Sequence, residues 1–166
     1  MKLAVATTAA GVMLGAAGPS AAGAAADYVV IPLETDVDAP PETAWPRIKG
    51  FCNIADWVKT TCVIASGKDG EPGAVRRLAG RVDEMLVAVT AWSYTYILPK
   101  SRIEYHATVE IRPDAGGGSK LSYTLLYDQA ALPAGANKAA DRDKRRTQFT
   151  RILAAMKASA EAGRPQ

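Results

Sequence analysis

What most constrains the fold is the position of the one long helical period: it comes last. Between residues 61 and 127 the chain breaks into short segments at 61–65, 74–79, 82–89, 92–98, 102–111 and 121–127. They are rich in β-branched and aromatic residues, as strands are. Turn clusters separate several of them: Gly67 to Gly73, then Pro99-Lys100-Ser101, then Pro113 to Gly118. Connections this short favour antiparallel neighbours. Residues 28–37 read as one further strand. Asp38-Ala39-Pro40-Pro41 then opens a short helix carrying Trp45, Ile48 and Phe51, and residues 53–58 make a second. Across residues 137–162, Phe149, Ile152, Leu153, Met156 and Ala160 step by three and four. A long helix with one apolar face needs a partner, and the sheet is the only large one. The predicted class is α+β: a seven-stranded curved antiparallel sheet wrapped around a long C-terminal helix, with two short helices after the first strand.

Residues 1–26 read as a secretory signal peptide. Lys2 precedes an apolar and small-residue run, Gly18-Pro19-Ser20 breaks it, and Ala24-Ala25-Ala26 offers a cleavage site. The run is weaker than the about 20 strongly apolar residues of a membrane span. The expected organisation is a signal peptide at 1–26, one domain at 27–162 and a disordered tail at 163–166. The expected location is periplasmic or secreted, with no stable membrane insertion after cleavage.

Charge argues against a polyanion partner. Lys and Arg number 20 against 17 Asp and Glu. The basic run Arg142 to Arg146 shares its helix with the apolar stripe, which suits a solvated face rather than a nucleic-acid platform. His106 is the only histidine, and with two cysteines it makes no zinc pattern. No metal or cofactor is expected. Cys52 and Cys62 can pair in an oxidising compartment; spacing alone leaves bridged and free forms open.

Trp92, Tyr94 and Tyr96 fall at alternate positions of one predicted strand, so their rings share a face. Tyr105 and Tyr123 sit on the apolar faces of the next two strands. Rings carrying hydroxyls suit the wall of a cavity for a partly apolar guest, with core filling as the alternative. Glu84 alternates with Val82 and Leu86. On an inward face it needs a partner, Arg76 or Lys59, or a raised pKa that would suit a general acid or base. His106 alternates with Tyr105 and so points outward.

The runs "VDAPPETAW" (37–45), "GAVRRLAG" (73–80), "VDEML" (82–86), "SYTYIL" (93–98) and "EYHATVEI" (104–111) resemble the SRPBCC superfamily. This helix-grip group includes START-type lipid carriers, polyketide cyclase-like proteins, birch-pollen-type allergens and plant abscisic-acid receptors. The chain is most similar to the bacterial polyketide cyclase/dehydrase-like branch. Resemblance to the plant receptors implies pocket roles for Lys59, Glu84 and Tyr105, and wall positions for Tyr94 and Tyr96. The receptors' gate and latch segments have no counterpart in "LAGRVDE" and "LPKSRIE", so a hormone switch is not implied.

The expected function is an exported carrier of a small hydrophobic molecule, lipid-like or aromatic, in an internal cavity. Lys59, Glu84, Trp92, Tyr94, Tyr96, Tyr105 and Tyr123 are the expected ligand-binding residues. The alternative is a cyclase, dehydratase or lyase using Glu84 and the pocket tyrosines. The sequence leaves the oligomeric state open.

Overall fold

The computed structural model describes residues 25–162. Most of the expected signal peptide, residues 1–24, and the expected tail at 163–166 lie outside the described residues. Strand β1 (Tyr28–Val37) leads to helix α1 (Pro41–Ile48), a 3-10 turn (Phe51–Asn53) and helix α2 (Ile54–Val58). Strands β2 (Cys62–Ser66), β3 (Val75–Leu78), β4 (Val82–Val89), β5 (Ser93–Ile97), β6 (His106–Pro113) and β7 (Ser119–Asp128) follow. Helix α3 (Lys138–Glu161) ends the fold. One seven-stranded sheet has the order β1-β7-β6-β5-β4-β3-β2, and every neighbouring pair is antiparallel.

Local chemistry sets the helix ends. Pro41 starts α1, where its missing amide costs nothing, and Pro41, Ala44, Trp45 and Ile48 form the buried stripe. Helix α2 stops at Lys59, which is left-handed (φ 52) and lets the Thr60 amide bond back to the Ala55 carbonyl. The Asn137 side chain caps α3 by accepting from the Ala140 amide at 3.0 Å.

Helix α3 has two halves. Phe149, Ile152, Leu153, Met156 and Ala160 are buried in the C-terminal half, whereas nothing from Lys138 to Gln148 is. Polar contacts pin the N-terminal half. Tyr127 donates to Asp141 at 2.9 Å, Arg145 donates to the same carboxylate at 2.7 and 3.2 Å, and the Arg145 guanidinium lies 4.4 Å over the Tyr127 ring.

Inward side chains form rows across the sheet. Leu33, Tyr123, Val109, Tyr94 and Val89 make one row, and Ile31, Leu125, Ala107, Tyr96 and Leu86 the next. Small Ala107 opposite Tyr96 leaves room for the ring. The strand predicted over 102–111 begins only at His106, because Glu104 is left-handed (φ 49) and bends the chain. His106 faces outward and is exposed.

Cys52 and Cys62 are bridged, with Cα atoms 5.5 Å apart. The bond ties the turn after α1 to edge strand β2. No helix of the described residues is long and apolar enough to cross a membrane.

Candidate functional site

A bulge in β4 shapes the open end of the grip. Leu86 pairs with Tyr96 and Ala88 with Thr95, so Val87 is the extra residue. Leu86 and Val89 consequently both face inward. Across from them stand Trp45 of α1 and Phe51 of the 3-10 turn. Together with Tyr94 these residues floor a cleft of about 470 Å³. Its rim carries Lys49, Asp69, Gly70, Thr90, Ala91 and Ser93.

The floor is rigid. The Tyr94 ring packs 5.9 Å from Trp45 and 6.1 Å from Phe51, and is 4% exposed. The aromatic run continues inward. Phe51 and Tyr96 are 6.1 Å apart, Tyr96 and Tyr105 6.2 Å, and Phe149 of α3 meets Tyr123 edge-on at 5.1 Å. These rings fill the space between sheet and helix, so the open volume lies at the mouth.

Behind the floor sits one buried ion pair. Arg76 Nε donates to Glu84 Oε2 at 2.6 Å, and Nη2 lies 2.5 Å from the same oxygen. Arg76 Nη1 donates to the Phe51 carbonyl, and the guanidinium stacks 4.0 Å from the Phe51 ring and 4.7 Å from the Tyr96 ring. Burial pushes the Glu84 carboxyl above its ordinary range, although Arg76 opposes the shift. Burial works against the Arg76 charge, but Glu84 and the nearby phenols outweigh it and hold the group cationic. Of the two partners considered for Glu84, Arg76 is the one present.

The phenols are neutral hydrogen-bonding groups. Burial pushes Tyr94 to about 12 and raises Tyr96, Tyr105 and Tyr123 as well. At neutral pH none serves as a base. The Tyr96 and Tyr123 hydroxyls bond to each other at 2.5 Å, while the buried Tyr105 hydroxyl has no partner.

Glu84, Tyr94, Tyr96, Tyr105 and Tyr123 are thus brought together. Two expected members lie elsewhere. Lys59 ends α2 in a left-handed turn and is exposed, so it does not join Glu84. Trp92 precedes β5 and is 38% exposed. It belongs to a tight turn in which the Thr90 amide donates to the Ser93 carbonyl at 2.9 Å. Its carbonyl still accepts from the Ile111 amide at 2.9 Å, but Trp92 is not among the residues that line the cleft.

Two other depressions are less suited to an apolar guest. A groove of about 640 Å³ between α2 and α3 has Trp57, Val58 and Ile152, but Asp143, Lys144 and Arg151 line it too. A hollow of about 220 Å³ lies by Leu98, Glu104 and His106. Among the described residues, no group of three or more His, Cys, Asp or Glu is placed to hold a metal ion.

A curved sheet gripping one long helix, with an aromatic cleft at its mouth, defines a helix-grip protein of the hydrophobic-ligand-binding type. The chain belongs to the family described as polyketide cyclase / dehydrase and lipid transport, whose model matches residues 29–161. Among curated proteins none matches the chain significantly. Solved structures share the fold. One is a protein from Nitrosospira multiformis, with a TM-score of 0.66 at 21% identity over 81% of this chain and 97% of that one. Another is Ara h 8.0201, with a TM-score of 0.58 at 16% identity over 81% of this chain and 98% of that one.

Proposed function

We propose that this protein is an exported binding protein for a small, ring-bearing hydrophobic molecule held in the cleft of Trp45, Phe51, Leu86, Val89 and Tyr94. The observation that carries the reading is the cleft itself: about 470 Å³ of open space floored by aromatic and aliphatic side chains. Volumes of that order suit small-molecule sites. Family membership supports an apolar guest in general. Two further features support export: the signal-like N-terminal sequence and the Cys52–Cys62 bond, a linkage that persists in oxidising compartments.

Glu84 is spoken for by Arg76, and the phenols stay protonated. Both features favour holding a guest over transforming it.

Binding of the fluorescent probe 1-aminoanthracene, and its displacement by small aromatics, tests the reading. Val89→Glu puts a charge into the apolar cleft at a position already 41% exposed, so the fold tolerates it. Affinity should fall about tenfold or more, because an apolar guest cannot pair the carboxylate. Undiminished binding would place the guest elsewhere.

A further inference from the structure

We infer that the leader is cut between Ala26 and Asp27, and that the α-ammonium group so formed completes the fold as the ion-pair partner of Asp128. The inference rests on the export proposed above.

The sequence by itself offers more than one cut. Ala22-Gly23-Ala24 and Ala24-Ala25-Ala26 both place small residues at the spacing that a leader-removing peptidase reads. The structure distinguishes them. Ala25 and Ala26 are exposed and belong to no helix or strand. Asp27, the next residue, is held in three ways. Its carbonyl accepts from the Gln129 amide at 2.9 Å, its carboxylate accepts from Lys138 at 2.8 Å, and its nitrogen donates to Asp128 Oδ1 at 2.8 Å. Residue 27 thus ties the start of β1 to the end of β7 and to the first residue of α3.

Asp128 is prepared for a cation. Its Oδ1 also accepts from the Ala130 amide at 2.8 Å, and its own amide donates to the Ile103 carbonyl at 2.7 Å, so the carboxylate is fixed in place. The one lysine at this corner, Lys138, is taken by the Asp27 carboxylate. Two carboxylates therefore share one cation, and the atom that meets the second carboxylate is the nitrogen of Asp27.

Hydrolysis supplies the missing charge at that atom. Water splits the Ala26–Asp27 peptide bond: Ala26 leaves as a carboxylate on the leader, and the Asp27 nitrogen becomes an ammonium. An ammonium can turn one of its three N–H bonds toward Asp128, so the contact survives the cut and gains Coulomb attraction. A cut after Ala24 instead leaves a neutral amide at this position and puts the charge two residues away.

Protein beginning at Asp27, released from a fusion that leaves no extra residue, is compared with protein beginning at Ala25. Near pH 6 the folding equilibrium constant of the Asp27 form should be roughly threefold to fivefold larger, the upper range for a half-exposed ion pair. Pairing raises the folded-state pKa of the α-amino group above its ordinary value of about 7.7–8.0, so the advantage is complete below that value and fades as pH rises through the folded one. Asp128→Asn keeps the acceptor for Ala130 but removes the charge, and should erase the difference between the two ends. Equal stability of the two ends near pH 6, a difference that persists unchanged above about pH 10, or one that survives Asp128→Asn would overturn the inference. N-terminal sequencing of the exported full-length chain gives the second readout, and Asp27 should be first. A first residue of Ala25 overturns this inference and leaves export standing. Retention of Met1 overturns both.

Discussion

Arg76 and Glu84 stand directly opposite each other on β3 and β4, and both are almost wholly buried. Neither charge has water to fall back on, so each depends on the other. Glu84→Gln should destabilise the protein by about 3–5 kcal/mol, because it strands the guanidinium between two rings. Replacing both, Arg76→Met with Glu84→Leu, should restore most of that loss. Urea titrations measure the two differences; a single variant as stable as the parent would show that the pair contributes no mutual dependence.

The C-terminal half of α3 is the part of the helix that packs. Leu153 is 4% exposed. Leu153→Ala should cost about 2–5 kcal/mol, whereas Gln148→Ala, on the exposed half, should stay within about 0.5 kcal/mol. Thermal or urea unfolding checks the contrast, and equal effects would mean that the stripe is not core.

The buried phenols predict the alkaline limit of the fold. Tyr94 and Tyr127 titrate at about 12, and Tyr96, Tyr105 and Tyr123 lie above their ordinary value of 10.0. A raised folded-state value means that the native state holds its protons more tightly than the unfolded chain does. Its stabilising contribution is complete below pH 10 and is lost as pH rises through the folded-state values. Phenolate absorbance should therefore rise late and together with loss of circular dichroism. Ordinary titration near pH 10 with the fold intact would contradict the burial described.

Asp141 predicts a smaller effect at the acid end. Burial raises its carboxyl, but hydrogen bonds from Arg145 and Tyr127 outweigh it and hold the net value below 3.8. Its contribution is present above the unfolded value and is lost as pH falls through the lower folded one. Asp141→Asn should flatten the stability–pH curve below about pH 4. An unchanged acid limb would mean that the contact with Tyr127 does not anchor the helix.

Element order was legible because apolar periodicity and turn residues changed together. Residues 149–160 step in threes and fours, while the Gly67–Gly73 and Pro113–Gly118 clusters cut the strands. Inward tyrosines followed from alternation alone. The cleft did not. It depends on the Val87 bulge, which nothing in "MLVAV" announces, since every residue there is apolar. It also depends on Trp45 and Phe51, which as sequence look like the core stripe of a short helix. Lys59 matched a local pattern, yet a left-handed helix end decides where it points, and backbone sign cannot be read from "WVKT". Arg76 and Glu84 flank a tight hairpin, so their pairing was within reach; choosing between Arg76 and Lys59 needed the register.

The cleft at the mouth of the grip is the central claim, and amide and indole chemical-shift mapping tests it most directly. Isotope-labelled protein would be titrated with 1-aminoanthracene and followed by heteronuclear NMR. The account predicts that shifts concentrate on the Trp45 indole and on the amides of Gly50, Phe51, Gly70, Ala91 and Ser93. Shifts centred instead on the Trp57 indole, Gln148 and Arg151 would put the guest in the groove between α2 and α3 and contradict the assignment.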